Sequence, residues 1–120
     1  MKLQSSWRAV LRAPVTISLA LLLMAAHPPS SIERGAAIAT HGTSSGALPC
    51  MACHGAQLHG NPATGAPALA GLDPAVTRSA LRAIAEGKRG KNYVMAQIAR
   101  SLTRSQRRAV SAYLASLPPG

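Results

Sequence analysis

The sequence predicts a small all-α domain, and three observations support that fold class. Apolar residues recur at helical spacing in several segments, and these segments open with residues that cap helix N-termini. No segment alternates apolar and polar residues as a half-buried strand does. The chain has 120 residues, which allows one modest domain. We therefore expect about four to five short helices.

Residues 1–26 predict a secretory signal peptide that precedes this domain. Residues 1–14 are basic and contain no acid, and residues 15–26 form an apolar run. That run has twelve residues, whereas a membrane span needs ~20. We expect cleavage near Ala26, which leaves residues 27–120 as the exported domain. Retention of the leader as a membrane anchor is the alternative.

The first helix is expected at residues 31–40. Ser31 is its expected N-cap, and Glu33 lies in the first turn, where the helix dipole favours an acid. Gly35 costs this helix stability relative to alanine, but it would let another helix cross closely. A single helical turn is expected at residues 50–54.

Three more helices are expected beyond residue 72. Asp73 and Pro74 open one that runs to about Glu86 and ends at Gly87. Its apolar stripe comprises Val76, Ala80, Leu81, Ile84 and Ala85. A short helix follows at residues 94–101. A capping box formed by Thr103 and Gln106 opens the last helix, whose core face comprises Val110, Tyr113, Leu114 and Leu117.

Both cysteines lie in one motif, Cys50-Met51-Ala52-Cys53-His54. Cys-x-x-Cys-His is the attachment signature of a c-type haem. Two thiols at this spacing can form thioethers with the two vinyl groups on one edge of a porphyrin. The next residue then lies beneath the ring, where the imidazole of His54 can bind the iron. The motif therefore predicts one haem c, bound covalently through Cys50 and Cys53.

The composition favours a large cofactor. The chain has no Phe, one Trp and two Tyr, and many of its apolar residues are small. Aromatic side chains supply much of the burial in ordinary cores, so a short domain without them needs another apolar body. A haem would supply it. Residues 55–72, rich in Gly, Pro and Ala and without periodicity, would form the wall along one side of the ring.

The opposite face of the iron needs a second ligand. Met51 lies between the attaching cysteines and cannot reach that face, and His27 lies in a terminal, proline-bounded segment. His41 and His59 lie close to the motif in sequence, and geometry leaves both open. Met95 follows His54 by 41 residues, so the chain can travel around the ring. We therefore expect His54 and Met95 as the iron ligands.

The ordered segments resemble the class I cytochromes c, particularly small bacterial periplasmic members. The resemblance runs from about Ile32 to Pro118 and rests on ERGAAIA, CMACHG, GAPALAGL, MAQIARSLT and SAYLASLPP. It implies a small cytochrome c fold wrapped around one covalently bound haem. It also implies that the carbonyl of Pro67 accepts a hydrogen bond from the haem-ligating histidine, and that Gly35 meets Tyr113 where the first and last helices cross.

These expectations describe a periplasmic one-electron carrier rather than an enzyme. With His54 and Met95 both bound to the iron, substrate and oxygen do not enter easily, and a thioether ligand raises the reduction potential. Expected partners are redox proteins, such as a dehydrogenase donor and an oxidase or reductase acceptor. Lys88, Arg89 and Lys91 would orient docking on an acidic patch. A membrane complex, or the uncleaved leader, would place the protein at the membrane.

Other functions fit the sequence less well. If Met95 only packs, the open iron site suits a gas-binding or peroxidase-like protein, but no distal acid–base residues are visible. A thiol–disulfide oxidoreductase would use Cys50 and Cys53, but the usual βαβ pattern is missing. The net charge is +10, and without the three bases of the leader it is 10 − 3 = +7. Nucleic acid is not the expected partner, because stacking aromatics are lacking.

Overall fold

The computed structural model describes residues 27–120, which form five helices joined by loops. In chain order these are α1 (Ser31–His41), α2 (Met51–His54), α3 (Pro74–Ala85), α4 (Tyr93–Ser101) and α5 (Arg104–Ser116). Residues 27–120 contain no strand, only an isolated antiparallel bridge between Asn61 and Ala66. The all-α prediction is therefore confirmed. The predicted signal peptide, residues 1–26, lies outside the described residues.

Side-chain caps determine where the helices begin. The Ser30 hydroxyl accepts a hydrogen bond from the N–H of Glu33 at 3.2 Å, and the Glu33 carboxylate accepts one from the N–H of Ser30 at 2.6 Å. The prediction that Ser31 is the N-cap was therefore wrong, because a capping box pairs residues three apart and Glu33 selects Ser30. Asp73 and Thr103 cap α3 and α5 as predicted.

The loop between α3 and α4 differs slightly from expectation. Helix α3 ends at Ala85, and Gly87 follows with a φ of +72°, a conformation that glycine adopts without strain. Helix α4 begins at Tyr93, one residue earlier than predicted, because the side chain of Asn92 caps it.

Within residues 27–120, no helix combines the length and the apolar character needed to cross a membrane.

Helix α1 crosses α5 at Gly35. Gly35 is buried, and a Cβ atom built on it would overlap the carbonyl oxygen of Ala109 and lie 2.7 Å from Cβ of Tyr113. Only glycine permits so close an approach of the two backbones. The predicted crossing of Gly35 against Tyr113 is confirmed.

The buried core consists of small and aliphatic side chains. Five of its twelve apolar members within residues 27–120 are alanines, and none is aromatic. Helix α3 contributes Leu81 and Thr77 to this buried set, whereas Val76 is 54% exposed. Position 77, rather than Val76, therefore lies on the face that α3 packs against the other helices. Position 77 is one helical turn from Leu81 and shares its face, whereas position 76 is rotated about 100° away.

Candidate haem site

Helix α2 and its N-cap residue, Cys50, present the two thiols of the motif. The N–H of His54 donates to the carbonyl of Cys50 at 3.0 Å, which closes one helical turn and holds Cys50 and Cys53 together. Both thiols are free and half-buried. Burial raises the pKa of the Cys50 thiol above its usual value. A raised pKa disfavours the thiolate form at this position.

His54 is held in one orientation by a residue beyond the motif. Its ring is buried, and Nδ1 lies 2.8 Å from the carbonyl oxygen of Pro67. A carbonyl only accepts hydrogen bonds, so Nδ1 carries the proton in this contact. In the neutral ring, this tautomer puts the lone pair that a metal ligand requires on the other nitrogen, Nε2.

Two further residues, which sequence reasoning missed, hold the end of α2. The Thr64 hydroxyl donates to the carbonyl of Cys53 at 2.6 Å, and the N–H of Gly60 donates to the carbonyl of His54 at 2.9 Å. Both bonds satisfy carbonyls that the short helix leaves without a partner. The Gly-Asn-Pro turn at residues 60–62 was a visible signal of a loop, but not of this contact.

In the wall segment, residues 55–72, hydrogen bonds tie the start to the end and the end to α5. Leu58 is fully buried, and its carbonyl accepts hydrogen bonds from the N–H groups of Leu69 at 2.8 Å and Ala70 at 3.0 Å. The N–H of Gly71 donates to the carbonyl of Leu114 at 2.8 Å, which ties the segment to α5. A stretch that composition alone describes as a flexible linker is thus an ordered part of the domain.

Met95 lies near the start of α4. It is half-buried and packs against the buried cluster, as Cys50 and Ile84 also do. The structure therefore brings Met95 and the attachment motif to the border of one core, although they are far apart in sequence.

The other candidate ligands lie elsewhere. His41 is exposed at the end of α1, and His27 is exposed at the start of the described residues. His59 is exposed, and its Nε2 lies 3.4 Å from the carbonyl oxygen of Pro118. Met51 lines a cavity of about 310 Å³ with Tyr113.

The donors of α2 and α4 fit a covalently bound haem. Two half-buried thiols at Cys-x-x-Cys spacing suit thioether formation, and Nε2 of His54 suits iron because Nδ1 is engaged by Pro67. The thioether sulfur of Met95, on a different helix, is a soft donor of the kind that haem iron binds.

Comparison with known proteins adds independent support. The family model for cytochrome c matches residues 32–118. A protein from Thiomonas intermedia (strain K12), named thiosulfate dehydrogenase electron acceptor, is 44% identical over 73 residues, which are 61% of this chain and 33% of that protein. The chain thus spans about a third of the length of the curated relatives that it matches.

Solved structures share the fold. A thiosulfate dehydrogenase from Marichromatium purpuratum superposes with a TM-score of 0.70 and 38% identity, over 73% of this chain and 19% of that one. Reduced cytochrome c4 from Pseudomonas stutzeri superposes with a TM-score of 0.69 and 28% identity, over 76% of this chain and 50% of that one.

The matched range contains the whole attachment motif and the four longer helices almost entirely. The cofactor is therefore haem c, bound covalently through Cys50 and Cys53. The chain belongs to the cytochrome c family.

Proposed function

We propose that this protein is an exported one-electron carrier that binds its haem iron through His54 and Met95. It accepts electrons from a dehydrogenase that oxidises a reduced sulfur compound such as thiosulfate. The observation that carries the proposal is the arrangement around His54, which leaves Nε2 free for the iron. The 44% identity to a protein named thiosulfate dehydrogenase electron acceptor supports the kind of donor.

The protein's own groups then have distinct roles. Cys50 and Cys53 hold the porphyrin edge, and the Pro67 carbonyl fixes the imidazole plane and makes it a stronger donor. Met95 would be the second iron ligand and would keep water and external ligands from binding there. When bound, the haem supplies a one-electron Fe(III)/Fe(II) couple whose potential a thioether ligand raises.

Met95→Ala tests the ligand assignment. We expect the variant to lose the far-red iron–sulfur absorption band of the oxidised protein. Its reduction potential should fall by more than about 59 mV, which is a tenfold change in the equilibrium constant for one electron. Met51→Ala is the matched control, because it removes a half-buried methionine beside the cysteines and should leave the band in place.

A band that survives in Met95→Ala would refute the assignment. Wild-type protein with covalent haem but without the band would instead indicate an open iron site, as in the gas-binding or peroxidase-like alternative.

One of the three basic residues predicted to dock on a partner is paired with an acid of its own loop. Lys88 forms an ion pair with Glu86 at 2.7 Å, and this pairing lowers the pKa of Glu86. Arg89 and Lys91 are exposed in the same loop, close in sequence to Met95. We therefore assign steering of an acidic partner mainly to Arg89 and Lys91.

Reduction kinetics test the donor and the docking surface together. Wild-type holoprotein mixed with a thiosulfate dehydrogenase and thiosulfate should be reduced rapidly. The double variant with Arg89→Gln and Lys91→Gln should react about three- to tenfold more slowly at low salt, and the difference should vanish at high salt. The control carries Arg104→Gln and Arg108→Gln, an equal change of net charge on α5.

Equal rates for the two double variants would refute the docking assignment. A wild-type protein that the dehydrogenase does not reduce would refute the proposed donor and leave the electron-transfer role intact.

Export completes the proposal. Residues 1–26 would direct the protein to the periplasm, where c-type haem is attached in bacteria, and cleavage near Ala26 would release residues 27–120. Retention of the leader would give the same carrier a membrane anchor.

A further inference from the structure

Few backbone hydrogen bonds hold the segment that leads to Met95. The N–H of Lys88 donates to the carbonyl of Ala83 at 2.8 Å, which ends the turn after α3. The next backbone hydrogen bond among the described residues joins the N–H of Ala96 to the carbonyl of Asn92 at 3.0 Å. Asn92 is therefore the first point after Lys88 at which hydrogen bonds hold the chain.

The side chain of Asn92 holds Met95 directly. Its Oδ1 accepts a hydrogen bond from the N–H of Met95 at 2.9 Å. Met95 is the third residue of α4, and such an N–H has no partner within its own helix. At the other end of α4, Nε of Arg100 donates to the carbonyl of Ala85 at 3.0 Å.

Helix α4 is held by the packing of Ile98 and Ala99 and, at its first turn, by the Asn92 cap. It has nine residues, and an isolated helix of that length is unstable in water. Loss of the Asn92 cap would fray the first turn, where Met95 lies. Because Met95 is half-buried and shares the core with Ile84, even a small displacement would move its sulfur relative to the motif.

We propose that Asn92 is a positioning residue that keeps the sulfur of Met95 in place for the iron. The inference rests on the proposed function, in which Met95 is a ligand. Without the cap, Met95 should be detached in a larger fraction of the molecules, although the domain stays folded. The measurable consequence is easier displacement of the thioether sulfur by an external nitrogen ligand.

Titration of the oxidised holoprotein with imidazole measures the fraction of molecules in which Met95 is detached from the iron. Imidazole binds only where Met95 has left the iron, so its apparent dissociation constant falls in proportion as the detached fraction rises. A lost N-cap of ordinary strength should make imidazole bind about fivefold more tightly to Asn92→Ala. Asn92→Ser keeps a side-chain acceptor and should match the wild type.

Thr103→Ala is the matched control. The Thr103 hydroxyl caps α5 by accepting from the N–H of Gln106 at 3.1 Å, so this variant also loses one N-cap. Its helix carries no proposed ligand, and its affinity for imidazole should stay at the wild-type value. Equal affinities in Asn92→Ala and the wild type, or an equal gain in Thr103→Ala, would overturn the inference.

The far-red band of the wild type separates the two proposals. If the band is present and Asn92→Ala binds imidazole as the wild type does, only the role of Asn92 is wrong. If the wild type lacks the band, Met95 is not a ligand and both proposals fail.

Discussion

Replacing both Cys50 and Cys53 with alanine should abolish the native fold together with redox activity. The double variant cannot form thioethers, so the haem is no longer tethered. We expect it to lose cooperative thermal unfolding and most native packing, whereas the wild-type holoprotein should melt in one transition.

The physical reason lies in the core. The buried apolar set within residues 27–120 contains no aromatic side chain, and its largest fully buried members are Leu58 and Leu114. A domain of this size buries too little surface for easy stability even with larger side chains. The haem therefore has to supply much of the apolar body, and the motif is its tether.

Circular dichroism and haem content of the exported variants provide the measurement. The single variant Cys50→Ala is the control, because Cys53 can still form one thioether and His54 is unchanged. It should keep more haem and more helix than the double variant. A double variant that is exported, folded and stable without haem would show that the protein side chains suffice as a core.

Gly35→Ala should be the most damaging single substitution on α1. The added Cβ would overlap the carbonyl oxygen of Ala109 and lie 2.6 Å from its carbonyl carbon. Both are backbone atoms, so relief requires α1 and α5 to move apart. We expect a loss of about 3 kcal/mol in the free energy of unfolding, although alanine is the better helix former.

Denaturant unfolding of the holoprotein measures this loss. Ala37→Gly is the control on the same helix, because position 37 is exposed and the change reports helix propensity alone. It should cost about 1 kcal/mol. If Gly35→Ala is as stable as the wild type, the two helices do not cross as closely as the structure places them.

The local signals in the sequence predicted much of the fold. The caps at Asp73 and Thr103 marked two helix starts correctly, because an N-cap bond joins residues two or three positions apart. The same logic failed at Ser31, where Ser30 was an equally good cap and the position of Glu33 decided between them. Periodicity on α3 did not reveal that Thr77 is buried beside Leu81, because it defines a face only to within a residue.

The candidate site also combines features that the sequence predicted with features that it did not. The spacing of Cys50, Cys53 and His54 is a property of the sequence, and that spacing alone predicts covalent haem. The bond between His54 and Pro67 was expected only through the family resemblance. The structure places the two groups 2.8 Å apart. Nothing in the sequence predicted the hydrogen bond between Thr64 and the carbonyl of Cys53, because a threonine in a turn has many potential partners.

The sequence by itself determined the cofactor, its attachment, the helical class and most helix starts. These depend on residue spacing and on hydrogen bonds that span a single turn. Only the tertiary structure decided that residues 55–72 form an ordered wall tied to α5, that Gly35 lies against the backbone of Ala109, and that Met95 shares a core with the motif. These contacts join segments distant in sequence, and their formation depends on how the helices pack together rather than on any local pattern.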